Sequence, residues 1–439
     1  MVSYGTEAVE RGSAVGILED LEYRGLLFQE TDRDGLTRAL EQGPLCLYIG
    51  FDPTADSLHI GNLLAILILR RFQLAGHKPI ALVGGATGLI GDPSGKKQER
   101  ALNPRDTVHA WTRKIESQLA RFIDFDAPNN PARVVNNYDW TASMGVIDFL
   151  RDVGKHFSIN TMLNRESVAM RLETGLSFTE FSYMLLQAND FLELFTQYGC
   201  RLQVGGSDQW GNIVAGVDLI RRVTGGEAYG FTIPLVVQSD GTKFGKSEGN
   251  AVWLDAEKTS VYHFYQFWLN TADADVIRFL RYFTFLSPAE IAGLERAVAE
   301  QPDARLAQRV LAEQVTTLVH GQSAAERAQR LSAMLFAGDI KRLTREEVHE
   351  VFAGVPSTTV SAGQPLDIVS VLVASGASSS RRQAREDVAG GAITVNGDKI
   401  TDRERRFSAE ELIAGRFLVI RRGRRHYFLV QVEEAQADS

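Results

Sequence analysis

The chain has 439 residues, of which 44% are hydrophobic and 23% charged, with a formal net charge of −8. That length exceeds one ordinary core and predicts two or three domains, while the longest apolar run, LLAILIL at 63–69, falls well short of the roughly 18 residues a membrane helix needs. Only two cysteines are present, Cys46 and Cys200, which argues against a zinc site or a disulfide framework; the N-terminus has no apolar signal core, which points to the cytoplasm.

Residues 45–52, LCLYIGFD, read as a buried strand ending at a turn. DSLHIGNLLAILILRRFQLAG reads as a helix closed by Gly76, and KPIALVGGATGLIGDPSG as a second strand entering a glycine-rich loop. This alternation predicts an α/β fold, a Rossmann-like doubly wound parallel sheet forming a catalytic domain over 1–250, with ligands beyond the carboxyl ends of its strands. Residues 105–175 read mainly as helix, with an insert near 125–170. FTEFSYMLLQANDFLELF at 178–195 is a strong helix, RLQVGGSDQWGN at 201–212 a strand entering a loop, and FTIPLV at 231–236 leads to a lysine-bearing loop at 241–250. An all-helical region is expected over 251–352, and AGVPSTTVSAGQP at 353–365 reads as a linker. The remainder, 366–432, reads as a small α+β module of two short helices and a hairpin turning at Asn396–Gly397. Residues 376–432 hold twelve Lys or Arg against seven Asp or Glu. A basic module on an acidic body suits RNA, although a solvated charged surface would read the same way.

Five stretches carry candidate chemistry. Tyr48, Gly50 and Asp52 alternate along the first strand and so share one face. Gly50 permits close approach of a ligand, and its neighbours offer a phenol and a carboxylate. In HIGN, His59 and Asn62 sit at the start of a helix, where free N–H groups and the helix dipole favour phosphate. Tyr183, Gln187 and Asp190 are spaced i, i+4, i+7 on an otherwise apolar helix, so the polar stripe is expected to face an internal pocket rather than solvent. GGSDQWGN at 205–212 places Asp208 and Gln209 beside glycines, a combination suited to ribose hydroxyls. In GTKFGKSEGN at 241–250, Lys243 and Lys246 lie on a glycine-rich loop that suits a polyphosphate under transfer. Neither a GxxxxGK[ST] loop nor a GxGxxG fingerprint is present. Each signal alone has a bland alternative: a packed tyrosine, a helix cap, an ordinary loop, a solvated basic turn.

Together, and in this order, the stretches YIGFDPTADSLHIGNL, ALVGGATGLIGDPSGK, NNYDW, GKHFSIN, SFTEFSYMLLQANDF, QVGGSDQWGN, DGTKFGKSEGN and GGAITVNGDKI resemble the bacterial tyrosyl-tRNA synthetases, a family of class I aminoacyl-tRNA synthetases. The resemblance runs from about residue 15 to about 432. HIGN takes the place of the class signature HIGH, and KFGKS that of KMSKS. The resemblance implies activation of L-tyrosine by ATP, accompanied by Mg2+, and transfer to tRNA(Tyr) by a homodimer whose interface lies in the insert near 125–170. It implies that Tyr48 and Asp190 hold the substrate phenol, that Asp92, Tyr183 and Gln187 surround its amino group, and that Gln209 lies near its carboxylate. Gly50, Asp52, Thr54, Gly206 and Asp208 would meet the nucleotide. His59, Asn62, Lys243, Lys246 and Ser247 would handle the phosphates, with Lys96 and Arg100 closing over pyrophosphate; no protein-held metal is implied. The helical region would lie near the anticodon stem. The C-terminal module resembles an S4 RNA-binding domain, and Arg381, Arg382, Arg385, Arg421 and Arg422 would contact tRNA. Asn62 departs from the signature: it donates hydrogen bonds but carries no charge. Two rival readings are an enzyme for tryptophan, disfavoured because an indole offers no phenol to Tyr48 and Asp190, and a non-catalytic RNA-binding protein, disfavoured because the lysine loop and the pocket residues are all present.

Overall fold

Six strands form the central sheet in the order β1-β6-β5-β2-β3-β4 of this computed structural model, which describes residues 16–94, 102–165, 168–169, 175–241, 244–247, 250–361, 366–423 and 426–433. The strands are β1 (Gln29–Glu30), β2 (Cys46–Phe51), β3 (Lys78–Val83), β4 (Arg133–Asn136), β5 (Cys200–Gly206) and β6 (Tyr229–Ile233), and two further short strands, β7 (Lys246–Ser247) and β8 (Asn250–Ala251), pair with each other. β2 to β6 run parallel to their neighbours and β1 pairs antiparallel with β6. The inner strands are buried on both faces, which is why β3 and β6 read as near-continuous apolar runs. Chain order reverses between β2 and β5, so their carboxyl ends open the crevice where such sheets take ligands.

The Ile60–Leu74 helix is apolar almost all round, with ten of its residues buried. It starts with a capping box between His59 and Asn62 and stops at Ala75, with Gly76 at φ 90° turning the chain back into β3. On the other face, Tyr48, Ile80 and Leu82 pack with Phe191 and Leu194 of the Phe178–Tyr198 helix. Two elements depart from the sequence reading. β4 lies inside the stretch expected to be mainly helical: Val134 and Val135 are β-branched and extend the sheet beside β3. The expected loop after β5 becomes a short 3-10 turn at Ser207–Gln209 and then the Trp210–Thr224 helix.

The chain divides into two compact units, 1–258 with 270–319, and 259–269 with 320–439. The helical region expected over 251–352 is therefore shared between them. In the second unit a five-stranded sheet, order β11-β10-β12-β13-β9, comprises β9 (Ser357–Ser361), β10 (Ile393–Val395), β11 (Asp398–Ile400), β12 (Phe417–Arg422) and β13 (His426–Glu433). β12 is apolar on both faces. Leu418 and Ile420 pack under the Ile368–Ala374 and Arg381–Ala389 helices, whereas Phe417 and Val419 pack with Leu331, Val348 and Phe352. The run FLVI thus needs cover on both sides, and residues 320–352 supply one of them. β9 corrects the expected linker at 353–365: STTVS is rich in β-branched residues and adds to the sheet edge parallel to β13. The hairpin turns as expected, with Asn396 at φ 50° and Gly397 at φ 90°. The Asn396 side chain donates to Glu411 O and accepts from Val419 N, both at 2.8 Å.

Candidate active site

At the crevice, the strand triple and the helix stripe meet. Tyr48 is 1% exposed, its ring 5.2 Å from that of Phe191, and its hydroxyl has no hydrogen-bond partner among the described residues. Asp190, also 1% exposed, accepts from Trp140 Nε1 at 2.8 Å and from Asn137 Nδ2 at 2.9 Å. Burial pushes its carboxyl up to about 7, against the two hydrogen bonds that favour the charged form. The stripe is turned inward: Tyr183 is buried and donates to Asp52 Oδ2 at 2.6 Å. Burial, then the Asp52 charge, raises its phenol well above the ordinary range.

A network missed by sequence reasoning joins these groups. Thr87 Oγ1 donates to Asp52 Oδ1 at 2.6 Å and accepts from Asn137 Nδ2 at 2.9 Å. Asn137, fully buried, also accepts from Ala86 N at 2.7 Å. Asp52 and Asp190 are thereby linked through Thr87 and Asn137. Gly84 is required beneath it, since a Cβ there would lie 2.0 Å from Asp52 Oδ1. The sequence signal for this network is the stretch NNYDW, within which spacing alone gives Asn137 and Trp140 no role.

A second cluster forms at the start of the Trp210–Thr224 helix. Gln209 Nε2 donates to Asp92 Oδ2 at 2.6 Å, and Asn212 Nδ2 donates to Gln187 Oε1 at 2.8 Å and Gln209 Oε1 at 3.3 Å. Asn212, 5% exposed, is another organiser not read from the sequence. Gly50 is exposed, and a Cβ would meet only Leu82 at an ordinary 3.8 Å. No neighbour among the described residues demands a glycine there, and glycine weakens a strand, which is consistent with space kept for a ligand. Asp52, Pro53, Thr54, Gly88 and Gly91 line a solvent-open cavity. Asp208 sits in the turn after β5, where a Cβ on Gly206 would come within 2.5 Å of its Oδ1.

His59 is the N-cap rather than a helical residue. Its Nδ1 accepts from Gly61 N at 3.0 Å, and Asn62 Oδ1 accepts from His59 N at 3.1 Å. With Nδ1 an acceptor, the neutral ring carries its proton on Nε2. The segment after the lysine loop is bonded to this motif: Ile60 N donates to Val252 O and Leu254 N to Leu58 O, both at 2.9 Å. Trp253 lies edge-on to the His59 ring at 6.0 Å. Phe244 is buried against Phe279 and Phe283, and Gly245 adopts φ 88°, which accounts for Phe-Gly between the two lysines. Lys246 and Ser247 pair with Ala251 and Asn250 through their backbone. Lys96, Arg100 and Lys243 lie outside the described residues.

In the second unit Arg381, Arg382 and Arg385 are exposed on one short helix. Arg422 is committed internally, donating to Ala377 O at 2.9 Å and Asp387 Oδ1 at 3.1 Å, and Arg421 is half-buried beside Thr394.

Comparison with known proteins gives the family of the chain. Residues 40–337 match the family model of class I tRNA synthetases (W and Y), and residues 347–430 that of the tyrosine–tRNA ligase SYY-like C-terminal domain. The tyrosine–tRNA ligase of Bacillus caldotenax is 59% identical over 416 residues, covering 94% of this chain and 99% of that protein. Tyrosine–tRNA ligase 1 of Bacillus subtilis strain 168 is 57% identical with the same coverage. Among solved structures, a C-terminally truncated mitochondrial tyrosyl-tRNA synthetase of Aspergillus nidulans superposes with a TM-score of 0.67 at 32% identity, covering 75% of this chain and 97% of that one.

Proposed function

The chain belongs to the tyrosine–tRNA ligases, within the class I tRNA synthetases, and from that premise we propose how its pocket selects and activates the amino acid. The reaction joins L-tyrosine to ATP, giving tyrosyl-adenylate and pyrophosphate, and then moves the tyrosyl group to the 3′-terminal ribose of tRNA(Tyr). The observation that carries the residue assignment is the unpartnered hydroxyl of Tyr48 in one cluster with the buried Asp190 carboxyl. A substrate phenol donates to Asp190 and accepts from Tyr48, satisfying both. Donation to the charged form draws the Asp190 carboxyl back down from about 7. Phenylalanine would leave the Tyr48 hydroxyl buried and unsatisfied, at about 1–3 kcal/mol, and would give Asp190 no further donor to favour its charged form.

In this reading Asp92, Tyr183 and Gln187 receive the ammonium group, and Gln209, turned by Asn212, lies beside the carboxylate. That carboxylate is already a nucleophile, so no base is required. It attacks the α-phosphorus in line, and the protein contributes orientation and charge stabilisation. His59 Nε2–H and the N-terminus of the Ile60–Leu74 helix act on the phosphates together with Asn62, Lys243, Lys246 and Ser247, and Lys96 and Arg100 close on pyrophosphate. Gly50, Asp52, Thr54, Gly206 and Asp208 hold the nucleoside side. ATP is the co-substrate, and no cluster of three or more His, Cys, Asp or Glu suited to a metal occurs among the described residues. Mg2+ would accompany the phosphates of the nucleotide.

The helical segments within 251–352 and the C-terminal S4-like module are the proposed tRNA surface, led by Arg381, Arg382 and Arg385. Homodimerisation through the insert is supported by Val146 and Ile147, 73% and 74% exposed, with Leu150 and Ile159 also exposed. No helix among the described residues is long and apolar enough to cross a membrane, and the cytoplasm is the proposed location. Tyrosine-dependent ATP–pyrophosphate exchange, followed by charging of tRNA(Tyr), tests the whole reading. A folded protein that shows no exchange, or exchanges better with tryptophan, overturns it.

A further inference from the structure

The two cysteines of the chain are 154 positions apart in sequence yet face each other across the sheet. Cys46 opens β2, Cys200 opens β5, and the two are register partners. Both side chains belong to the cluster that also holds Tyr48, so they lie on the same face. Adjacent strands run roughly 4.7–4.9 Å apart, within the roughly 4.4–6.8 Å that a disulfide spans between Cα atoms. The register slips between Cys46 and Leu47, so the backbone here is a strand end rather than a rigid ladder.

The two thiols differ in what they meet. Cys46 is half-buried, whereas Cys200 is fully enclosed. Cys46 is flanked on β3 by its register partner Lys78, with Arg133 on β4 beyond, and both cations are exposed. The neighbouring Cys200 thiol and then these two cations hold the Cys46 thiol below its ordinary value, while burial pushes that of Cys200, which donates to Leu202 O at 3.7 Å, well up. A partly accessible thiol near cations, backed by a buried second thiol, is the arrangement of a reactive cysteine and its resolving partner. Neither residue has a part in the reaction described above.

We propose that Cys46 and Cys200 are a hydroperoxide-responsive pair that closes reversibly into a disulfide between β2 and β5. The Cys46 thiolate attacks one oxygen of hydrogen peroxide and the O–O bond breaks. One oxygen stays on sulfur as the sulfenic acid, and the other leaves as hydroxide and is protonated to water. The Cys200 sulfur then attacks the sulfenic sulfur, and the sulfenic hydroxyl leaves with the Cys200 proton as a second water. Two electrons pass from the thiols to the peroxide, and a dithiol reductant returns them.

The test uses the folded full-length chain exposed to hydrogen peroxide, then denatured and alkylated for mass spectrometry. The expected product is a chain two hydrogens lighter with no alkylatable thiol, whose peptide map joins the segments containing Cys46 and Cys200, and which dithiothreitol restores. In Cys200→Ser, Cys46 is expected to stop at the sulfenic acid and be trapped by dimedone; in Cys46→Ser, Cys200 is expected to stay reduced. The proposal fails if wild-type protein keeps two free thiols, links only between chains, or carries Cys46 to the sulfinic acid with Cys200 still free. The wild-type peptide map decides between these outcomes by itself, whether or not either variant folds.

Discussion

Replacing Tyr48 with phenylalanine should move stability and function in opposite directions. The ring stays, and with it the contact to Phe191 at 5.2 Å; only a buried hydroxyl without a partner among the described residues is lost. Leaving such a group unsatisfied costs about 1–3 kcal/mol, so the ligand-free variant should be more stable by that amount, a rise in Tm on the order of 1–5 °C. With tyrosine bound, the same hydroxyl has the substrate phenol as its partner, and a neutral hydrogen bond contributes about 0.5–1.5 kcal/mol. The variant should therefore lose about 2- to 13-fold in kcat/KM for tyrosine. It should lose nothing for phenylalanine, so discrimination narrows by the same factor. Scanning calorimetry of the free protein and pyrophosphate exchange with each amino acid read the two arms. A variant less stable than wild type when free would show that the hydroxyl is already satisfied, and equal losses for both amino acids would show that it does not meet the phenol.

Asp190→Asn removes the group whose carboxyl burial holds near 7 instead of 3.8. In wild type the unfolded chain gives up this proton first, so stability should fall as pH rises from about 4 to about 7, by on the order of 4 kcal/mol. Urea midpoints across that range should show the slope in wild type and lack it in the variant, which should also fail to activate tyrosine. Lys246→Ala should lower the rate of adenylate formation by roughly 10²–10³-fold with little change in tyrosine KM, as single-turnover kinetics would show; a pure KM effect would remove Lys246 from the phosphate site. Joint replacement of Arg381, Arg382 and Arg385 by Ala should leave pyrophosphate exchange intact and weaken tRNA binding. The slope of log affinity against log salt should drop by about 2–3, and an unchanged slope would place tRNA elsewhere.

Much of the sheet was legible because its strands announce themselves locally. LCLYIGFD, KPIALV and RLQVGG read as strands that end at turn residues, and the hairpin at Asn396–Gly397 carries its own turn chemistry. The elements that escaped were those whose identity is set by a neighbour. β4 has only four residues, with no apolar run, and is a strand because β3 offers an unpaired edge. β9 consists of serines, threonines and one valine, a composition shared with linkers, and it is ordered by five register partners on β13. The Trp210–Thr224 helix was hidden by the glycines and Asp208 ahead of it, which read as a loop although the apolar spacing of Ile213, Leu219 and Ile220 was present.

The site divides along the same line. Tyr183, Gln187 and Asp190 were found because helical spacing alone puts them on one stripe. Thr87, Asn137, Trp140 and Asn212 have no such period; each matters through a partner 25 to 53 positions away. Their placement also explains why a costly carboxylate persists in the interior. Asp190 is held by two donors, and one of them, Asn137, reaches through Thr87 to Asp52, at the end proposed to meet the nucleotide. Asp190, proposed to recognise the phenol, and Asp52, proposed to meet ATP, are thus parts of one hydrogen-bonded assembly. In the proposed site, a phenol that reshapes the charge on Asp190 acts on a network ending at Asp52, on the nucleoside side. HIGN follows the same logic. Asn62 Oδ1 accepts from the backbone N–H of His59, while Gly61 N–H donates to the imidazole Nδ1 and leaves the ring proton on Nε2, so the neutral residue in that place serves the helix end from which His59 is proposed to donate.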